Sequence, residues 1–345
     1  MHNFVNDYNC LAHPDILKRM QNLALEKQPG YGLDQHCTRA KELLYKELGT
    51  ERVDIHFIPG GTGANLIAIS AFLRPHHAVL GATTAHINEH EAGSIEACGH
   101  KVVTVPTVDG KLRPEDLVPA LESHKHDNRV KIRLVYISDS TEVGTVYNKK
   151  EIKALHDFCR ANDLLLFVDG ARLGSALTSA HSDLTMKDLV EYTDAFYIGG
   201  TKNGALLGEA LVIVRDDLKE DFRYIMKQKG GIMAKSFLMG IQFEVLFEDG
   251  LYYRLAKKAN KLADKLANGL KDLGVKFIQE PQSNQIFPIF NKKQIEELRK
   301  DFEFEDWAYE GDGLYSVRFV TSWASREEDV DALIEAFHKI VNRKL

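Results

Sequence analysis

Between residues 164 and 208 the chain carries two short, uniformly apolar runs, 164–168 and 195–198. The first stops at Asp169-Gly170-Ala171-Arg172 and the second at Gly199-Gly200-Thr201-Lys202. Runs of this length and character read as strands buried on both faces, whose carboxyl ends deliver polar residues into a crevice. Further strands are predicted at 53–58, 78–82, 102–105, 132–137 and 210–214. Helical segments separate them: 66–73, the stretch LRPEDLVPALES with Pro114 in its first turn, and 149–162. From about residue 50 to 215 this alternation predicts an α/β fold, with a mostly parallel sheet covered on both faces and a ligand at the strand carboxyl ends.

An acid at one strand end and a lysine just past another are what a pyridoxal phosphate site requires. The lysine forms the Schiff base and the aspartate partners the pyridinium nitrogen. Lys202 follows an apolar strand and two glycines, a setting that does not suit an ordinary surface lysine. For Asp169 the plain alternative is a strand-end helix cap. Strand 53–58 runs directly into Pro59-Gly60-Gly61-Thr62-Gly63-Ala64-Asn65 and then a helix. Such an order points backbone N–H groups and the positive helix end at a phosphate. Taken alone, it describes a tight turn without a ligand equally well.

At 345 residues the chain is long enough for one large domain and a smaller one. Its net charge of −6 is spread over interleaved acidic and basic residues, which argues against a nucleic-acid or polybasic membrane role. The N-terminus shows no basic-then-apolar leader pattern and no apolar run approaches a membrane span, so a cytoplasmic location is expected. Cys10, Cys37, Cys98 and Cys159 are far apart, fit no metal spacing and are expected as free thiols.

Outside the alternating core, a helix over 15–26 with Asp15 as N-cap is predicted, then one from His36 to a stop at Gly49. Residues 216–260 read as helical with a break at Lys229-Gly230-Gly231, and 254–273 as a long amphipathic helix. A smaller α+β domain follows, with strands at 275–279, 285–290 and 316–320 and helices at 292–302 and 327–343. The early helix is expected to pack there. The resulting division is 28–250 for the large domain, and 1–27 with 251–345 for the small one.

The residue blocks now assembled are Asn6-Asp7, Tyr31-Gly32, Gly61-Thr62-Gly63, AHINEHEAG from Ala85, Asp169-Gly170-Ala171-Arg172, Gly200-Thr201-Lys202, Ser283-Asn284-Gln285 and Val317-Arg318-Phe319-Val320-Thr321. With them the chain resembles the low-specificity L-threonine aldolases of the β-eliminating lyase group, within the aspartate-aminotransferase-like fold (pyridoxal phosphate fold type I). The pairing of DGAR with TK is the specific part. The resemblance implies pyridoxal 5'-phosphate held by Lys202 and Asp169, with its phosphate on Gly61, Thr62, Gly63 and the Thr201 hydroxyl. His86 would stack on the ring and handle protons. Asn6, Tyr31, Arg172 and Arg318 would bind the substrate, the arginines by bidentate contact with its carboxylate, although arginines can equally make structural salt bridges.

Two positions depart from the family pattern. Many members carry a serine where this chain has Asn6, and bacterial members often carry a histidine where it has Glu142. Glu142 can serve as the base for the β-hydroxyl proton if burial raises its pKa; the alternatives are a different substrate or a solvated residue. His86 and His90 stand one helical turn apart, but no third metal ligand is placed by the sequence, so no metal is expected. Lys227 and Lys235 flank the glycine pair in a region that in this fold often reaches the neighbouring subunit's phosphate, and a homodimer or homotetramer is expected. The activity implied is retro-aldol cleavage of threonine or allo-threonine, a small amino-acid substrate, to glycine and an aldehyde. β-Elimination or transamination on the same scaffold is the nearest alternative, and a non-catalytic binding protein the more distant one.

Overall fold

The computed structural model describes residues 1–342. Among the described residues fourteen strands run in chain order. The first eight are β1 (His2–Asn3), β2 (Asp54–Ile58), β3 (His77–Ala82), β4 (Lys101–Val105), β5 (Lys131–Ser138), β6 (Leu165–Asp169), β7 (Ala195–Gly199) and β8 (Glu209–Ile213). The C-terminal part adds β9 (Lys276–Phe277), β10 (Gln285–Ile286), β11 (Pro288–Asn291), β12 (Phe302–Glu303), β13 (Glu305–Gly311) and β14 (Leu314–Val320).

Seven strands form the central sheet in the order β2-β8-β7-β6-β5-β3-β4. Neighbours from β7 to β4 pair in parallel, and β8 runs antiparallel to both β7 and β2. The mostly parallel sheet expected from the sequence is therefore present. Alternate residues of each strand point to opposite faces. Leu166 and Val168 of β6 join one apolar cluster, with Phe196, Ile198 and Val212. Leu165 and Phe167 join the other, with Tyr136, Tyr197 and Leu211. With helices over both faces every position is shielded, which is why these strands are apolar throughout rather than alternating.

The helix Gly61–Phe72 covers the second face through Ala64, Ile67, Ala68 and Ile69. Helices Gln35–Leu48 and Phe237–Glu248 cover the first, through residues such as Leu44, Phe243 and Leu246. The long helix Leu251–Asp272 joins the two parts of the molecule. Leu251 and Leu255 belong to the core below the central sheet, whereas Leu262, Leu266 and Leu270 pack with Phe290, Phe319, Leu333 and Phe337 beside the C-terminal antiparallel sheet.

Several local expectations are corrected. The early helix spans Pro14–Asn22 and is capped by His13, whose ring accepts from the Asp15 amide, so Asp15 lies in the first turn instead of at the cap. It packs on Phe237–Glu248, with Ile16 in the core below the central sheet, and not with the C-terminal sheet. From the N-terminal segment it is Phe4 and β1 that join the C-terminal part. The helix expected from residue 66 begins at Gly61, and the strand expected at 285–290 is divided into β10 and β11. The helix expected over 292–302 ends at Leu298, and β13 was not anticipated. The terminal helix is Glu327–Asn342; the last residue expected for it, 343, lies outside the described residues. Among the described residues no helix is long and apolar enough to cross a membrane, and the four cysteines are free.

Candidate active site

Strand alternation places Tyr136 of β5, Asp169 of β6 and Tyr197 of β7 on the same face of three neighbouring strands. Their tips converge at the carboxyl edge. Tyr136 donates to Asp169 Oδ2 at 2.5 Å and Tyr197 to Oδ1 at 2.5 Å. Asn65, from the helix on that face, donates to Oδ2 at 2.9 Å, and the Ala171 amide to Oδ1 at 3.0 Å. Asp169 is 4% exposed. Burial alone would raise its pKa, but the neighbouring His86 and the three side-chain donors hold it below the usual carboxylate value. A hydrogen bond to a charged group contributes about 1.5–3 kcal/mol, so three of them offset the cost of burying the charge. Glycines allow β6 and β7 to turn this closely: a Cβ on Gly170 would lie 1.8 Å from the Tyr197 carbonyl oxygen.

Lys202 springs from the turn after β7. Burial and the Arg172 guanidinium push its amine below the usual lysine value, against the opposing charges of Asp7, Asp169 and Glu209. β8 is antiparallel, so its first residue, Glu209, reaches this same edge. The Thr201 hydroxyl, expected on a phosphate, donates to Glu209 Oε1 at 2.6 Å and accepts from the Gly208 amide at 3.0 Å.

On the opposite wall, His86 is bound through Nδ1 to Glu91 Oε1 at 2.8 Å. The same Glu91 oxygen accepts from Asn65, so one buried carboxylate links the histidine to the donor of Asp169. Glu142 accepts from the His86 amide at 3.0 Å and the Ser138 hydroxyl at 2.6 Å, both through Oε1. Its carboxyl is pushed up, chiefly by burial and also by the charge of Asp169, with the Ser138 bond and His86 opposing. His90 lies beside His86, with ring centroids 5.5 Å apart. Among the described residues no three His, Cys, Asp or Glu side chains gather as metal ligands.

The two arginines are already engaged. Arg172 donates through Nε and Nη2 to the two oxygens of Asp7, at 2.7 and 3.1 Å. Asn284 donates to the same Asp7 at 2.9 Å. Arg318 donates through Nη2 to Glu305 of β13 and through Nη1 to Gln285 at 3.4 Å, and stands 5.6 Å over the Trp307 ring. Its Nε is buried without a partner.

A cavity of about 410 Å³ brings together Gly61, Thr62, His86, Glu142, Asp169, Arg172, Thr201, Lys202 and Arg318. Three residues named from the sequence are not on its wall. Gly63 contributes only the third amide of the helix that starts at Gly61. Asn6 accepts from the Tyr8 amide at 3.0 Å and closes a local turn. Tyr31 is 48% exposed on a separate surface, with the Lys227 ammonium 4.6 Å above its ring. The residues that sequence reasoning left without a role include Tyr136, Tyr197, Asn65, Glu91, Asp7, Glu209, Glu305 and Trp307. Strand parity alone would have found the two tyrosines.

These residues fit pyridoxal phosphate. The first amides of a helix have no partner within it. At Gly60 and Gly61 no side chain covers them: the space beside Gly60 is open, and a Cβ on Gly61 would stand 3.0 Å from Tyr197 Oη. A buried carboxylate and a half-buried amine share the same cavity with this anion-ready helix start.

Comparison with known proteins agrees with this arrangement. Residues 6–293 match the family model described as Beta-eliminating lyase. The low specificity L-threonine aldolase of Pseudomonas aeruginosa is 33% identical over 337 residues, covering 96% of this chain and 95% of that one. The threonine aldolase structure from Leishmania major superposes with a TM-score of 0.97 at 45% identity, covering 99% of this chain and all of the other. An aspartate aminotransferase variant from Thermus thermophilus, only 16% identical, shares the fold with a TM-score of 0.73 over 98% of this chain and 91% of its own.

Proposed function

The chain belongs to the β-eliminating lyase family, and from that premise we propose that it cleaves a β-hydroxy-α-amino acid, L-threonine or L-allo-threonine, to glycine and an aldehyde. The cofactor in this reading is pyridoxal 5'-phosphate, which when bound supplies an electron sink conjugated to the substrate Cα. Gly61, Thr62 and Gly63 would hold its phosphate through their free amides, with the helix dipole favouring the negative charge. Asp169, kept ionised by Tyr136, Tyr197 and Asn65, would partner the ring nitrogen. His86, fixed by Glu91, would lie against the ring. Lys202 would hold the cofactor, and burial together with Arg172 keeps its amine in the neutral, nucleophilic form more readily than in water.

Arg172 and Arg318 would bind the substrate carboxylate and so orient the bonds at Cα. Glu142 removes the β-hydroxyl proton as the Cα–Cβ bond breaks. This is the observation that carries the reading. A half-buried carboxyl with a raised pKa, bonded to Ser138 and to the backbone of His86, lines the same cavity as Lys202 and can act as the base that an aldol cleavage needs. A β-elimination or a transamination begins by removing the Cα proton, whereas the cleavage ends by returning a proton to Cα to give glycine. We also read the chain as a cytoplasmic homo-oligomer, with the exposed Tyr31–Lys227 surface among the contacts.

The test is aldehyde release from L-allo-threonine and L-threonine by purified protein supplied with pyridoxal phosphate. Wild-type protein is expected to take up the cofactor with a visible absorbance band and release aldehyde. Lys202→Ala should lose both the covalent band and at least about 10³-fold in rate. Ammonia and pyruvate without aldehyde would move the assignment to β-elimination, and accumulation of pyridoxamine phosphate to transamination.

A further inference from the structure

β8 is an apolar strand, Ala210 to Ile213, that opens on an acid. Glu209 is 3% exposed and lies between Gly199 of β7 and Ile58 of β2, the two strands that lead to Lys202 and to the glycine start of the first covering helix. Both of its oxygens are used on the Lys202 turn. Oε2 accepts from the Gly200 amide at 2.9 Å and Oε1 from the Thr201 hydroxyl at 2.6 Å. Thr201 in turn accepts from the Gly208 amide, which adds to the backbone bond from the Gly200 amide to the Gly208 carbonyl in closing the loop that carries Lys202. A glutamine would cost less to desolvate but could replace only one of these two acceptors, since its other terminal atom is an NH2 donor. The carboxylate also lines the same cavity as the lysine.

We propose that Glu209 is a positioning residue for Lys202, fixing the turn from which the lysine springs and supplying a negative charge beside its nitrogen. The proposal rests on the reading of Lys202 as the residue that holds the cofactor. The charged and titratable groups around this pair are Arg172, Asp7 and Asp169 beside Lys202, and Lys202, Asp169, Tyr197 and Tyr252 beside Glu209. Burial pushes the Glu209 carboxyl up to about 7, against the Thr201 and Gly200 bonds and the lysine charge, so above neutrality its charge favours the protonated form of the lysine nitrogen.

The experiment is a pH titration of the visible absorbance of cofactor-loaded protein, wild type against Glu209→Gln. If Glu209 supplies the charge, the midpoint falls by about one pH unit in the variant, a tenfold change in the protonation equilibrium. A midpoint equal to wild type, with the band present in both proteins, overturns the proposal while leaving the cofactor reading intact. Absence of the band from wild type would instead remove the reading on which it rests. Glu209→Asp serves if the glutamine variant does not fold. It keeps the charge but shortens the reach, so the midpoint should stay near wild type while kcat falls about tenfold; an unchanged kcat would overturn the positioning role.

Discussion

The ion pair between Arg318 and Glu305 sets a competition that can be measured. If Arg318 binds the substrate carboxylate, Glu305 already occupies the Nη2 edge of its guanidinium. A substrate must then displace Glu305 or share the cation with it. Arg318 is well buried, its side chain 14% exposed, while that of Glu305 is 43% exposed. Solvent screening on the glutamate side limits the pair to about 1 kcal/mol, the upper end for exposed ion pairs. Glu305→Gln removes the competing charge and should lower KM for L-allo-threonine about fivefold, since 1 kcal/mol is a factor of about five at RT of ~0.59 kcal/mol. The effect belongs on KM, because the chemistry at Glu142 and Lys202 is untouched. It should also shrink as salt is raised, as screening weakens the pair in the wild type. Steady-state kinetics at low and high ionic strength give both quantities. A KM that rises in Glu305→Gln would refute the reasoning, because it would mean that Glu305 holds Arg318 in its binding pose instead of competing for it.

The base assignment predicts that Glu142→Gln lowers kcat about 10²–10³-fold with the cofactor band retained. The sign of the pH dependence follows from the raised pKa of Glu142. The carboxylate is the active form, so wild-type kcat/KM should fall as pH drops through that raised value, and this acid limb should be missing from the variant's residual activity. For stability, Gly170→Ala would drive a methyl group to 1.8 Å from the Tyr197 carbonyl oxygen, backbone that cannot move without parting β6 from β7. A loss of about 3 kcal/mol or more is expected in denaturant unfolding, and a variant with the wild-type midpoint would contradict the packing described for these strand ends.

Legibility tracked burial. The strands of the central sheet are shielded on both faces, and their unbroken apolar runs gave them away to within a residue or two. β13 has the sequence EDWAYEG, half of it exposed, and exists because β14 lies beside it. No local pattern announces such a strand, so Glu305 and Trp307 were invisible although both line the cavity. Glu209 was lost for a different reason. The strand was read from its apolar residues, which begin at Ala210, and only the antiparallel direction of β8 puts its preceding acid at the active edge. At residue 61 the glycines suggested a loop, yet with no side chain to pack they serve equally as a helix start, and the difference matters because the first helical amides are the free ones.

The arginines show what motif reasoning cannot supply. A guanidinium with nothing beside it would take a carboxylate bidentately, as expected of Arg172 and Arg318 from their motifs. In the folded chain Arg172 spends its Nε and Nη2 on Asp7, whose other partner is Asn284, so the N-terminal segment, the DGAR turn and the C-terminal part are joined at this one carboxylate. That leaves Nη1 of Arg172 without a hydrogen bond among the described residues, and Nε of Arg318 buried without one. Arg172 nevertheless keeps three of its five N–H donors, two on Nη1 and one on Nη2, so it can offer a substrate carboxylate an end-on fork while the Asp7 pair persists. At Arg318 the Glu305 carboxylate sits at Nη2, next to the unpaired Nε, and competes for that edge of the guanidinium. The direction of the KM change in Glu305→Gln therefore tells whether a substrate carboxylate binds at that edge.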